Sequence, residues 1–157
     1  MKFFARINLL VPVLGVASLC SVTANAATQP ADPCSLLSPA QVGSALGGTF
    51  SAPVKTVAPR PFVNTVSGTD CEYHGSGSLL FRIYFDPSDG DATKLFAQLK
   101  MWYGIGSTAT SGMGDEGYFD KEGALHVRKG NVRFYLEAGK GKQAALTTLG
   151  KILAGEL

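Results

Sequence analysis

The chain has 157 residues, 45% of them hydrophobic and 17% charged, a balance that suits one globular domain with a core of its own. Its formal charge of +2 rests on Lys2 and Arg6. Without the first 26 residues, 12 basic side chains stand against 12 acidic ones. The remainder is neutral and offers no electrostatic reason to expect nucleic acid or an anionic membrane as partner.

The opening Met1-Lys2-Phe3-Phe4-Ala5-Arg6, the apolar run over 9–19 and the small-residue triplet Ala24-Asn25-Ala26 read as a secretory signal over 1–26. The apolar run is too short to span a membrane, and no later stretch approaches that length. Cys20 follows Leu19, where a bacterial lipobox wants a small residue, so the segment departs from a lipoprotein signal. The chain is therefore expected to be periplasmic or secreted. Cys34 and Cys71 remain after cleavage, and in an exported chain such a pair reads as one disulfide. It would close a loop of about 37 residues and contribute ~3 kcal/mol. The competing reading is a free or metal-binding thiol. Cys71-x-x-His74 has ligand-like spacing, but it supplies too few donors for a closed zinc site.

Residues 27–33 are small, polar and proline-containing, the mark of a loose leader, and the domain is expected over 34–157. Ser38-Pro39-Ala40-Gln41 carries an N-cap, a first-turn proline and a capping-box glutamine, and Gly47-Gly48 ends that helix. Residues 54–57 form a candidate edge strand and 62–66 a weaker one, among prolines that favour extended loop. A short strand over 70–74 puts Cys71 and Tyr73 on one side. After the turn at Gly75-Ser76-Gly77, Leu79, Phe81, Ile83 and Phe85 alternate with Leu80, Arg82 and Tyr84 in the clearest strand of the chain. Asp89-Gly90-Asp91 caps a helix with Ala92, Leu95, Phe96, Leu99, Trp102 and Tyr103 on one face. A polar loop follows over 106–112. Then three strands are joined at Lys121-Glu122-Gly123 and Lys129-Gly130-Asn131, and a last helix carries Leu146, Leu149, Ile152 and Leu153. The expected fold is α+β: a single antiparallel sheet of five or six strands with about three helices packed on one face. Each half begins with a helix and continues in strands, so an internal duplication is possible.

Gly112-Met113-Gly114-Asp115-Glu116-Gly117 matches the dinucleotide fingerprint in letters, but a polar loop precedes it, strand-like residues follow, and two carboxylates would repel phosphate. No metalloprotease, phosphate-loop or nucleophile-elbow motif is present, and the pattern calls for no cofactor and no metal. Asp115 and Glu116, placed on a strand, would point to opposite faces. The wet face collects Arg82, Tyr84, His126, Arg128, Arg133 and Tyr135, with Glu72, His74 and Glu137. Arginine, tyrosine and histidine are types favoured at recognition surfaces. The plainer account is that such pairs simply solvate an open sheet face.

The segments Asp32-Pro33-Cys34-Ser35-Leu36-Leu37, Asp70-Cys71-Glu72-Tyr73 and Gly114-Asp115-Glu116-Gly117-Tyr118, with Val127-Arg128-Lys129-Gly130-Asn131, resemble a group of exported bacterial domains of unknown function. That group is familiar from cell-envelope lipoproteins. The resemblance implies an envelope location and no particular reaction. Two functional expectations follow. One is a non-enzymatic binding or accessory protein that uses the polar sheet face to hold a protein or an anionic ligand. The other is a carrier of apolar ligands or a small hydrolase, working in a helix–sheet cavity near Trp102, Tyr103 and His126.

Overall fold

The computed structural model describes residues 28–63, 65–105 and 107–157. The expected signal over 1–26 and Cys20 lie outside the described residues. A 3-10 turn at Pro33–Leu36 leads into helix α1, Pro39–Leu46. Strands β1 (Val54–Ala58), β2 (Gly68–His74) and β3 (Ser78–Phe85) follow, then helix α2 (Asp89–Tyr103). Strands β4 (Thr108–Thr110), β5 (Glu116–Phe119), β6 (Leu125–Lys129) and β7 (Val132–Glu137) precede the last helix, α3 (Gln143–Glu156).

Local chemistry accounts for these boundaries. The capping box at α1 is closed: Gln41 Oε1 accepts from the Ser38 N–H at 2.7 Å, and Ser38 Oγ accepts from the Gln41 N–H at 3.3 Å. Gly47, at φ 83°, takes the left-handed conformation that stops the helix. Gly130, at φ 54°, turns β6 into β7 beside Asn131. At the preceding turn one Asp120 oxygen accepts from the N–H groups of Glu122 and Ala124 at 3.0 and 2.9 Å, which sets the register of β5 on β6.

The strands form one antiparallel sheet in the order β1-β2-β3-β7-β6-β5-β4. It has seven strands rather than the five or six expected. The extra strand is β4, three residues of Thr-Ala-Thr too short and too polar to announce itself by alternation. The candidate strand over 62–66 is not one: residues 61–63 form a bend and 65–67 are irregular. Strand β1 is the edge foreseen.

The alternation correctly assigns the dry face. Cys71 lies opposite Phe81, Phe81 opposite Leu136, and Leu136 opposite Leu125. Ile83, Phe134 and Val127 form the next row. Val42 of α1 and Leu146, Leu149 and Leu153 of α3 close over this face, each fully buried leucine contributing roughly 1.5–3 kcal/mol. Helix α3 lies so close that a Cβ on Gly150 would meet Met113 Sδ at 2.7 Å and Leu125 at 2.8 Å. The letters of the dinucleotide fingerprint thus have a structural use, since Met113 is buried under α3.

The helices do not share one face, as the sequence led us to expect. Phe96 of α2 meets Tyr118 edge-on at 5.5 Å, and Tyr118 stands on the side of the sheet opposite Phe119, away from α1 and α3. Helix α2 therefore covers the polar face. A two-fold axis relating the halves across the β3–β7 seam would place their leading helices on the same side. With α1 and α2 on opposite sides, the halves are not three-dimensional copies.

Cys34 and Cys71 form a disulfide across 37 residues, with Cα atoms 5.6 Å apart. It ties the 3-10 turn to β2. The fully buried Tyr73 reinforces it, donating its hydroxyl to the Leu37 carbonyl at 2.5 Å, with the Cys34 carbonyl 3.1 Å away. Reducing this bond, or replacing both cysteines by serine, should lower unfolding stability by about 3 kcal/mol in urea titrations. Tyr73→Phe in the oxidised protein should cost a further ~1 kcal/mol.

Candidate functional site

The strand registers bring all six sequence-nominated residues onto one side of the sheet, in two neighbouring rows. In the first, Asp70 lies opposite Arg82, Arg82 opposite Tyr135, Tyr135 opposite His126, and His126 opposite Tyr118. In the second, Tyr84 lies opposite Arg133, Arg133 opposite Arg128, and Arg128 opposite Glu116. Period-two alternation made this side legible. What alternation could not show is what covers it.

The second row is closed. Arg133 is 2% exposed and grips Asp86 in a two-point pair, Nε to Oδ2 at 2.5 Å and Nη2 to Oδ1 at 2.9 Å. Its guanidinium also lies over the Tyr84 ring, 4.8 Å from the centroid, which gives the unbonded Nη1 an electron-rich neighbour. Tyr84 in turn donates to the Pro59 carbonyl at 2.8 Å, pinning the loop that follows β1. Arg128 gathers three carboxylates: Asp89 at 2.6 Å, Asp115 at 3.0 Å and Glu116 at 3.5 Å. Asp115 precedes β5, so it and Glu116 converge on one arginine instead of pointing apart. Arg82 is held similarly by Asp70, at 2.6 and 2.7 Å. The three arginines are internally paired, and the wet face is in large part a buried polar layer.

The first row ends in an aromatic cluster around His126. Tyr118 stacks on the imidazole at 4.6 Å and 7°, Tyr103 of α2 lies near-parallel to it at 6.3 Å, and Tyr135 meets it edge-on at 4.9 Å. Nε2 lies 3.0 Å from Asp120 Oδ2, so the aspartate that shapes the turn also orients the ring. Burial holds the His126 pKa below its ordinary 6.5, a shift that Asp120 only partly offsets. The hydroxyl of Tyr118 is buried without a hydrogen-bond partner, and burial raises its pKa. Tyr135 donates to Glu137 at 2.5 Å, and burial followed by that carboxylate raises its pKa too. A histidine oriented by an aspartate is a general-base arrangement. Here Nε2 is taken by the aspartate, and the hydroxyls around the ring are those of tyrosines.

Trp102 and Tyr103 are not core residues, although their helical register pointed inward. They are 68% and 53% exposed, and Met101 and Ile105 beside them 67% and 77%. Trp102 meets Phe62 of the loop after β1 edge-on at 6.0 Å. Clefts open between α1 and α3 and between α2 and residues 65–66. None of these clefts is lined by Trp102, Tyr103 or His126. Between α2 and the sheet at this end lie the rings of Tyr103, His126 and Tyr118. Among the described residues no group of three or more His, Cys, Asp or Glu side chains could hold a metal ion.

The sequence reading missed the acidic partners Asp70, Asp86, Asp89 and Asp120. One signal for Asp86 was available. It closes β3 immediately before Pro87, on the side continued from Arg82 and Tyr84 by alternation. No protein-family model matches this chain, and no curated protein matches it.

Two measurements check this account. Arg133→Ala should destabilise the fold by roughly 3–5 kcal/mol, because a buried Asp86 is left unpaired, and adding Asp86→Asn should recover a good part of the loss in chemical denaturation. His126 is bound neutral in the folded state, and its folded pKa is the lower one. Its contribution is therefore complete above pH 6.5 and is lost as pH falls below that value, where the unfolded state takes up the proton. The difference in unfolding free energy between wild type and His126→Gln should shrink on acidification from pH 7, with a slope of at most about 1.4 kcal/mol per pH unit.

Proposed function

We propose that this chain is a non-enzymatic binding or accessory protein of the bacterial envelope, periplasmic or secreted. Its recognition surface is the aromatic end of the polar sheet side. The observation that carries this reading is the exposed cluster of Trp102 and Tyr103, anchored on Phe62 and His126. Large aromatics at that exposure are costly to leave in water and are the side chains on which contact energy concentrates. Arg82 and Tyr135, both partly exposed in the same row as His126, extend the surface, Arg82 as an ion pair with Asp70 and Tyr135 as a ring bonded to Glu137. Tyr84, Arg128 and Arg133 serve as its scaffold, since their polar groups are committed to Pro59, to acidic side chains and to one another's neighbours.

Envelope residence is supported by the disulfide between Cys34 and Cys71 and by the likeness of the D-P-C-x-L-L and G-D-E-x-Y segments to exported bacterial domains of unknown function. Among the described residues no helix is long and apolar enough to cross a membrane. The test is photo-crosslinking in the exporting cell. A photoreactive residue in place of Tyr103 should yield discrete lipid or protein adducts, while one in place of the exposed Lys151 on α3 should not. Equal labelling at the two positions, or none at Tyr103, would overturn the proposal.

A further inference from the structure

Resting on that reading of the aromatic end, we infer that the surface formed by Phe62, Val63, Met101, Trp102, Tyr103 and Ile105 docks onto an anionic lipid bilayer. Val63 is 90% exposed and Ile105 77%. The Phe62–Trp102 contact joins the two segments that carry these residues into one patch. The patch belongs to the end of a helix and a neighbouring loop, and none of its six residues lines the neighbouring cleft between α2 and residues 65–66. A protein partner would have to match its shape, whereas a bilayer requires only apolar tips that can enter and polar groups that stay at headgroup depth. Trp102 and Tyr103 are the two residue types enriched at that depth, and Met101, Ile105 and Val63 supply the apolar tips.

Charge supplies the second argument. From Phe50 to Thr69 and from Ala92 to Gly114 the chain contains no acidic residue. Arg60, Lys94 and Lys100 lie in those segments, and none is in an ion pair among the described residues. The carboxylates near the row below, Asp120 and Glu137, are engaged by His126 and Tyr135. Lys100, next to Met101 and with its ammonium 6.0 Å over the Tyr118 ring, and Arg60, two residues before Phe62 and bonded to Ser67, carry positive charge beside the patch segments and complement a layer of lipid phosphates, each such cation near the surface adding several-fold to binding.

Trp102 is the only tryptophan in the chain, so its emission reports on this patch alone. Vesicles of phosphatidylcholine with 30 mol% phosphatidylglycerol, roughly the anionic content that such electrostatic binding requires, should shift that emission to the blue. They should also carry the protein upward in flotation. Pure phosphatidylcholine vesicles should bind it at least tenfold more weakly, by the same electrostatic logic. The double variant Arg60→Gln/Lys100→Gln should lose roughly tenfold in binding, and Met101→Ser/Ile105→Ser should lose the blue shift while the probe remains. An unshifted Trp102 and no flotation with the anionic vesicles would overturn the inference, as would equal binding to both vesicle types. If vesicles fail while Tyr103 crosslinks to a discrete protein in the cell, the binding surface stands and its lipid occupant is ruled out. If both fail, the two proposals fall together.

Discussion

The ion pair between Arg133 and Asp86 is the constraint around which the rest of the molecule is arranged. A buried arginine near the start of a central strand cannot be left in a low-dielectric layer without a partner, and a buried carboxylate alone would be equally costly. Their two-point contact joins β7 to the residue just after β3. Three residues later Asp89, the first residue of α2, is taken by Arg128 of β6. Two arginines on neighbouring strands thus hold both sides of the β3–α2 junction. The helix that follows has little choice but to start over the polar side of the sheet.

From that start, the remaining contacts of α2 follow in sequence. Asp89 lies at Arg128, Phe96 at Tyr118, and Tyr103 at His126, so the helix advances along the strands beneath it. The last turn meets His126 through Tyr103 and Phe62 through Trp102. Along one apolar stripe Ala92 and Phe96 are buried while Trp102 and Tyr103 are exposed.

Much of this was legible in the sequence because strands alternate without drift. Leu79, Phe81, Ile83, Leu125, Val127, Phe134 and Leu136 could be put on one side, and Arg82, Tyr84, His126, Arg128, Arg133 and Tyr135 on the other, before any coordinate was known. The closed capping box at Ser38 was equally local, and the Cys34–Cys71 bond followed from an even cysteine pair in a chain read as exported. Two things were not legible, and both concern the layer above the sheet. Alternation gives the side of a residue but not its cover, so a row of arginines looks alike whether water or a helix lies over it. Helical periodicity in turn gives the apolar stripe of α2 but not how far its support extends. The acidic partners escaped notice for the same reason. Asp89 sits in a junction, where no periodicity marks a direction, and Asp86 is marked only by carrying the alternation of Arg82 and Tyr84 one step past the end of β3.

Averaging charge over the whole chain conceals the most consequential arrangement. Neutrality outside the first 26 residues suggested indifference to charged partners. The network on the polar side, however, draws Asp70, Asp86, Asp89, Asp115, Glu116 and Asp120 into the sheet and the start of α2. Lys94 and Lys100 remain on the helix that leaves it. Helix α2 therefore runs from an acidic corner, with Asp89 and Asp91 in its first turn, to a basic and aromatic one. Its own dipole is complemented by that order at both ends. A segment that is neutral overall but carries this separation would be oriented by an anionic surface even though it is not strongly attracted to one at a distance. Such a torque would turn the acidic corner outward and bring Trp102 and Tyr103 to the surface first. The ion pairs that set the course of α2 thereby also determine which end of the protein a negatively charged bilayer would meet.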